Sequence, residues 1–307
     1  MDESWRLAGK RGALRRRALM IRAIRQFFYD RDYLEVETPI RIPAPAPEEH
    51  IDAAPSGDWF LQTSPELCMK RMLAAGYPGI FQISKCFRAG ERGRFHLPEF
   101  TMLEWYGREG DCETLMQECE ALVIFIARAL DGADTLAYQG MTIALQPPWE
   151  RISVTDAFVR YAHLSMQQAL EKGCFDEIMA CEIEPRFGDG RPVFLYDFPV
   201  ARGALARAKK TDPELAERFE LYMGGLELAN AFSELTDEKE QRLRFEKAQR
   251  LRRAAGKVVY PMPEPFLSSL RCMPEAAGIA LGVDRLAMLF TDSAHIDEIV
   301  AFTTEML

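Results

Sequence analysis

No run of residues in this sequence approaches the ~18–20 uninterrupted apolar positions that a membrane-spanning helix requires. The N-terminus, MDESWRLAGKRGALRRR, carries charge where a secretory signal needs an apolar stretch, so a cytoplasmic protein with no membrane association is expected. The seven cysteines are odd in number and include no CxxC pair, which fits reduced thiols better than a disulfide framework or a zinc site. Cys86 and Cys272 read as packing residues. Two phosphate-binding signatures are missing as well, since there is neither a GxxxxGK[ST] loop nor a GxGxxG turn. Any phosphate bound here must be held by side chains. A cationic excess is also lacking: the formal net charge of -9 weighs against nonspecific nucleic-acid binding, which depends on neutralising phosphates.

What is present is a chain of 307 residues, 48% hydrophobic, enough to bury one large core. Its charge is uneven. Arg6, Lys10, Arg11, Arg15, Arg16, Arg17, Arg22 and Arg25 crowd the first 25 positions, opposed only by Asp2 and Glu3. Leu14, Ala18, Ile21, Ile24 and Phe28 recur at helical spacing, predicting an amphipathic helix over 11–30 with the cations outward. That face is either simply solvated or a docking surface for an acidic macromolecule. LEVETPI (34–40) alternates as a strand and ends at Pro39 before a proline-rich loop. In TSPELCMKRMLAAG, Ser64 as N-cap, Pro65 at the first helical position and Gly76 as C-cap predict a helix over 65–75 with Glu66 in its first turn.

Residues 81–106, FQISKCFRAGERGRFHLPEFTMLEWY, predict strands over 80–88 and 98–106 around a loop unusually rich in charge: Arg88, Glu91, Arg92, Arg94 and His96. Period-two alternation places Phe100, Met102, Glu104 and Tyr106 on one face of the second strand. A helix over 113–131, a hairpin over 135–146 and helical segments over 153–172 follow, while 173–192 carries no pattern. Gly224-Gly225 predicts a two-residue hairpin turn, because glycine supplies the positive φ such turns demand. Pairing Met223 with Leu226 sets Glu220 opposite Ala229 and makes Glu220 and Glu227 diagonal neighbours, roughly 7–8 Å apart at the backbone, a geometry suited to a hard cation such as Mg²⁺. A helix over 237–255 precedes GIALGVDRLAML, a strand entering a helix at Asp284 and Arg285. Short strands in hairpins with packed helices indicate an α+β domain on an antiparallel sheet.

Arg88 at the mouth of the charged loop and Arg285 at a helix start are suited to phosphate oxygens. The joint pattern resembles the class II aminoacyl-tRNA synthetases, specifically their lysyl branch. LEVETPI resembles motif 1, FRAGERGRFHLPEFTMLEWY motif 2, GIALGVDRLAML motif 3, and ERFELYMGGLELANAFSELTD the lysine-pocket hairpin. The resemblance covers roughly 14–106 and 192–304. It implies a sheet flanked by helices in which Arg88 and Arg285 are catalytic. ATP would meet Arg88, Glu91, Arg94, His96, Phe100 and Arg285, with Phe100 stacked under adenine. Mg²⁺ would sit on Glu220 and Glu227. Glu66 would meet the substrate's α-amino group, while Glu104, Tyr106 and Glu234 surround its distal ammonium and Asn230 and Phe232 line the pocket. Alternation alone puts Asn230, Phe232 and Glu234 opposite Glu227, so a β-bulge near Leu228 to Asn230 is expected.

Two departures stand out. The family's FRNE is here Phe87, Arg88, Ala89, Gly90, so either Glu91 replaces the missing glutamate or adenine is bound without that carboxylate. Its HNPEF is His96, Leu97, Pro98, Glu99, Phe100. About 33 residues precede motif 1, too few for an anticodon-binding barrel, so residues 1–307 are expected to form a single catalytic domain. A free-standing core of this kind is similar to the GenX/PoxA family, which attaches (R)-β-lysine to a lysine side chain of elongation factor P. GRFH in motif 2, IEPRFG at 183–188 and Ala229 in LELANAF lean that way; the hairpin near 135–146 leans toward the synthetases. The implied activity is ATP-dependent activation of lysine or (R)-β-lysine as the adenylate and transfer to elongation factor P, an acidic partner for the basic helix, by a homodimer built on motif 1 with Phe27, Phe28 and Tyr33. A methyl at Ala229 is expected to narrow the pocket beside the α-carbon. Two other readings are a truncated synthetase-like enzyme charging tRNA or another carrier, and a noncatalytic paralogue acting as a binding module; tRNA is the less favoured acceptor.

Overall fold

The computed structural model describes residues 7–188 and 190–307. Asp2, Glu3 and Arg6 of the basic segment lie outside the described residues. In chain order the elements are α1 (Arg11–Tyr29), β1 (Leu34–Glu35), β2 (Arg41–Ile42), β3 (Pro55–Ser56), β4 (Trp59–Leu61), α2 (Glu66–Ala74), β5 (Gly79–Phe87) and β6 (Glu99–Arg108). Then come α3 (Cys112–Asp131), β7 (Thr135–Tyr138), β8 (Met141–Ala144), β9 (Glu150–Ser153), α4 (Val154–Tyr161), α5 (Met166–Lys172) and α6 (Phe175–Ile178). The remainder is β10 (Val193–Pro199), β11 (Ala208–Lys209), β12 (Asp212–Met223), β13 (Leu226–Ser233), α7 (Glu238–Ala254), α8 (Glu264–Ser269), β14 (Ala276–Gly282) and α9 (Val283–Thr291). None of these helices is long and apolar enough to cross a membrane.

Among the described residues nine strands form the main sheet in the order β1-β5-β6-β14-β13-β12-β10-β9, with β11 added to β12. Its centre is antiparallel as expected; only the β1–β5 and β9–β10 pairs at the two ends are parallel. One face carries the largest core, where Phe28, Phe81 and Trp105 stack together between α1 and the sheet beside Leu103, Leu221 and Leu281. The opposite face carries the polar residues of interest. Burial on one face of a sheet makes register consequential, because a one-residue slip exchanges the two faces.

Several boundaries differ from expectation for identifiable reasons. The buried side of α1 is Met20, Ala23, Ile24, Phe27 and Phe28, while Ala18 is exposed, so the apolar stripe begins a turn later than its spacing implied. Motif 1 keeps only Leu34 and Glu35 in the ladder, since β1 lies at the sheet edge with β5 as its one neighbour. Pro65 takes the N-cap position of α2, yet Ser64 Oγ still accepts from the Glu66 N–H at 3.0 Å. Residues 173–192 are not patternless in space: α6 and the helical turns over 179–186 pack Phe175, Ile178, Met179 and Ile183 into a second core against β10. Cys86 is buried as expected, whereas Cys272 is exposed and borders a surface groove with Cys68 and Met72.

Candidate active site

The hairpin β12–β13 decides the geometry of the site. Gly224 (φ 59°) and Gly225 (φ 75°) make the turn, and Met223 pairs with Leu226 and Tyr222 with Glu227. The register then shifts, so that Leu221 pairs with Ala229 and Glu220 with Asn230 rather than with Ala229. Leu228 is the extra residue, within the segment where a bulge was expected. Leu228 and Ala229 both join the apolar core, which leaves Glu227, Asn230 and Phe232 on the other face with Glu220 and Arg218.

Register carries this face across the sheet. One row runs Gln82, Glu104, Ala280, Asn230, Glu220 over five adjacent strands, and the next runs Ile80, Tyr106, Gly278, Phe232, Arg218. A Cβ on Gly278 would stand 2.1 Å from the Tyr106 ring and 2.6 Å from Glu234 Oε1, so only glycine lets those two groups approach this closely.

A cavity of about 290 Å³ opens on this face, lined by Arg88, Glu91, His96, Phe100, Glu227 and Arg285 among others. The Arg88 guanidinium carbon lies 5.1 Å from the Phe100 ring centroid, and its Nη1 is 3.8 Å from Glu91 Oε2. Gly90 adopts φ 79°, a conformation side chains disfavour, so the position where the family carries glutamate is a turn here and Glu91 is the carboxylate at the cavity. Arg285 donates from Nη1 to the Glu227 carbonyl at 2.7 Å and from Nη2 to His96 Nε2 at 2.5 Å. Burial and the Arg285 charge lower the His96 pKa, which keeps its imidazole neutral and able to accept. Asp284 fixes the start of α9, its carboxylate accepting from the Thr101 N–H at 2.6 Å and from Arg17 at 2.7 Å.

Arg94 is held elsewhere: its Nε donates to the Ala294 carbonyl at 2.9 Å and its guanidinium lies over Phe95. Arg92 likewise pairs with Asp297 and Glu305 at 2.8 Å, which ties the loop to the C-terminal segment. Ala229, expected beside the substrate, borders the cavity but pairs with Leu221 and Leu281 in the core-facing row; on the site face the methyl in the row of Asn230 and Glu104 is Ala280.

The second half of the site is acidic. Glu104 is fully buried; its carboxylate accepts from Ser64 Oγ at 2.6 Å and from Tyr106 Oη at 2.7 Å. Burial and the nearby Glu66 charge push its pKa up to about 8. Glu234, also buried, is raised by burial against the pull of Lys70. Three residues here escaped sequence reasoning. Lys70 sits between Glu66 and Glu234; the i,i+4 spacing from Glu66 was visible, but its burial was not. Arg218 flanks Glu220 and Asn230. Glu48, from the proline-rich loop, is pushed up to about 7 by burial and the Glu66 charge, offset in part by Arg88 and Arg218. That loop is pinned by Arg252, which donates to the Glu48 and Ile51 carbonyls and to Asp52, while the Ala89 N–H donates to the Asp52 carbonyl.

For a divalent cation the donor set fits. Glu220 and Glu227 offer hard oxygens across the bulge, and Glu184 is pushed up to about 7 by burial and by the charges of Glu220 and Glu227, so negative charge is concentrated where a cation would sit. Among the described residues no cluster of three or more ligating side chains is preformed, so further ligands would have to come from substrate oxygens.

A family model of class II tRNA synthetases (D, K and N) matches residues 5–306. The chain belongs to that family. Within it, the chain is 38% identical to the elongation factor P (R)-beta-lysine ligase of Edwardsiella ictaluri and 39% identical to that of Sodalis glossinidius, covering 98% of each chain in both comparisons. The ligase of Vibrio cholerae is 36% identical over the same share. Three of the segments that carry the resemblance converge on this site: motif 2 runs from the end of β5 through β6, motif 3 spans β14 and α9, and the pocket hairpin is β12 and β13.

Proposed function

We propose that this protein is an ATP-dependent ligase that activates lysine or (R)-β-lysine as the adenylate and transfers it to a lysine side chain of elongation factor P. The observation that carries the reading is the row Glu104, Ala280, Asn230, Glu220, which joins a buried acidic pocket to the carboxylates and arginines of the phosphate side on one sheet face. A buried ammonium needs carboxylates around it, and the pocket has them. Arg88 would bind the amino-acid carboxylate and the α-phosphate together, Phe100 would stack on adenine, and Arg285 and His96 would meet the outer phosphates. Glu220 and Glu227 would hold Mg²⁺, which neutralises phosphate charge when bound.

In the first step a carboxylate oxygen attacks the α-phosphorus and pyrophosphate leaves. In the second the neutral ε-amine of the acceptor attacks the adenylate carbonyl; an amide forms, AMP leaves with the bonding electrons and the amine loses its proton. No covalent enzyme intermediate is required. Positioning and charge stabilisation at phosphorus account for the rate. We place the enzyme in the cytoplasm, working as a single catalytic domain within a homodimer.

Incubation with ATP, each lysine isomer and either elongation factor P or tRNA tests this directly. The expected result is a mass gain on elongation factor P of one lysyl or β-lysyl group. Label appearing on tRNA and never on protein would replace this reading with the synthetase-like one.

A further inference from the structure

Lys70 stands one helical turn after Glu66 on α2, and its side chain is 1% exposed. Its ammonium lies 2.5 Å from Glu66 Oε1 and 2.5 Å from Glu234 Oε2, with the Phe232 ring centroid at 5.8 Å. Helix geometry brings the first carboxylate, and the end of the hairpin strand brings the second. Burial alone would make this ammonium easier to deprotonate, but the charges of Glu234 and Glu66 outweigh it and raise its pKa. The other ionisable groups facing this region are Glu104, held by Ser64 and Tyr106, the Tyr106 hydroxyl itself, and Glu48, which burial and the Glu66 charge push toward its protonated form against the pull of Arg88 and Arg218.

Stability does not explain the placement. A buried ion pair contributes little beyond well-packed apolar residues of the same volume, because desolvation offsets its attraction. Charge counting does explain it. Once a bound substrate has ionised all three carboxylates, Glu66, Glu104 and Glu234 against one internal cation leave two negative charges for it to match. An amino acid with two amino groups supplies two positive ones, its carboxylate being matched by Arg88. Without Lys70 one buried carboxylate would face a diamino acid unpaired.

We propose that Lys70 is a positioning residue, a resident ammonium that spaces Glu66 from Glu234 and sets the pocket's charge so that a substrate carrying two amino groups completes it. The inference rests on the function proposed above and deepens its substrate specificity. Lys70 touches the enzyme carboxylates that receive the substrate's amino groups rather than the reacting atoms, so its removal acts on amino-acid KM.

The test is ATP–pyrophosphate exchange, with kcat and both KM values measured for purified, folded variants. Lys70→Gln is expected to raise KM for the diamino acid at least tenfold, with KM for ATP unchanged and kcat altered by less than about threefold, the pattern for a missing binding interaction. Lys70→Arg, which keeps the charge, should recover part of that loss. The decisive comparison pairs Glu234→Gln, which leaves one net negative charge, with Lys70→Gln/Glu234→Gln, which leaves two. Charge counting predicts that the double variant has the lower KM, whereas a merely structural role for Lys70 predicts the higher one. This pair also removes the buried ion pair as a unit, so it remains informative should Lys70→Gln alone not fold. A KM for Lys70→Gln within twofold of wild type, or a double variant worse than Glu234→Gln, would overturn the proposal. Failure of the wild-type protein to exchange with either lysine isomer would refute the proposed function itself, before any variant is compared.

Discussion

At Glu104 burial and the Glu66 charge together outweigh the hydrogen bonds from Ser64 and Tyr106 and the Lys70 charge, and the outcome is a carboxyl with a pKa of about 8. Its unperturbed value is 4.5, so between those limits the folded state holds a proton that the unfolded chain has lost. The sign follows: this stabilising contribution is complete below about pH 4.5 and is lost as pH rises to about 8. Thermal melting of the free enzyme should therefore show stability falling from pH 5 to 8, by an amount on the order of a few kcal/mol at ~1.4 kcal/mol per unit. Glu104→Gln should flatten that fall, and a slope unchanged in the variant would remove Glu104 as its source. An arriving ammonium must ionise the same group. Binding of lysine near pH 7 should release a proton, seen by calorimetry in buffers of different ionisation enthalpy. On the phosphate side, Arg88→Ala and Arg285→Ala should each lower pyrophosphate exchange ~10²-fold or more, since each removes a charge aimed at phosphorus; near-native exchange in both would sink that assignment.

Among the elements, the β12–β13 hairpin does most to build the site, because one extra residue decides which side chains meet. With Leu228 in place, Glu227 and Asn230 share the site face although three positions apart. Deleting Leu228 would restore strict alternation and force either Glu227 or the trio Asn230, Phe232 and Glu234 into the apolar core. We expect that deletion to abolish exchange and to lower the melting temperature; full exchange activity in the deletion variant would show the bulge to be dispensable. The need for this bulge was legible in the sequence, from the conflict between period-two alternation and the resemblance. Its partner strand was not: Glu220 was set against Ala229, because a turn fixes register only as far as the first irregularity. The same limit explains Ala229, whose methyl was expected in the pocket and which the shifted register pairs with Leu221 and Leu281. Lys70 and Glu48 were out of reach for a different reason. The burial of Lys70 comes from the end of β13 and the placement of Glu48 from a loop pinned by Arg252, contacts some 160 to 200 residues away in the chain that leave no local pattern. Strands β5 and β6, the glycine turn and the helix opening at motif 3 were readable because each is decided by neighbours in sequence.

At the scale of the whole molecule the open question is what covers the β1 edge. The residues first expected to form a subunit interface do not serve: Phe27 and Phe28 are fully buried on the inner face of α1, and Tyr33 donates its hydroxyl to Glu118. What remains outside is Tyr29 at 50%, Leu34 at 50% and Ile40 at 42% exposure, grouped around a strand that pairs on one side only. An exposed strand edge with apolar neighbours invites a partner strand. Beside it runs a groove of about 730 Å³ lined by Thr38, Pro39, Met72 and Pro265, which extends the surface that can be covered. The basic face of α1 is meanwhile smaller than its sequence suggests, as Lys10, Arg16, Arg17 and Arg25 bind Val300, Asp131, Asp284 and Glu35. Among the described residues Arg11, Arg15 and Arg22 are exposed and make no ion pair, and reversing their charge should slow the proposed transfer to elongation factor P while leaving pyrophosphate exchange intact; equal transfer rates would exclude that face. The dimer is tested separately. A second copy seated on β1 should bury at least ~1,000 Å², enough for stable association at micromolar concentration. Sedimentation should then give a particle of twice the 35.0 kDa chain mass. Leu34→Asp with Ile40→Asp should convert it to monomer, because each places an unpaired charge in an apolar contact. A wild-type protein that sediments as a monomer would leave the edge uncovered, and its exposed apolar residues would need another partner.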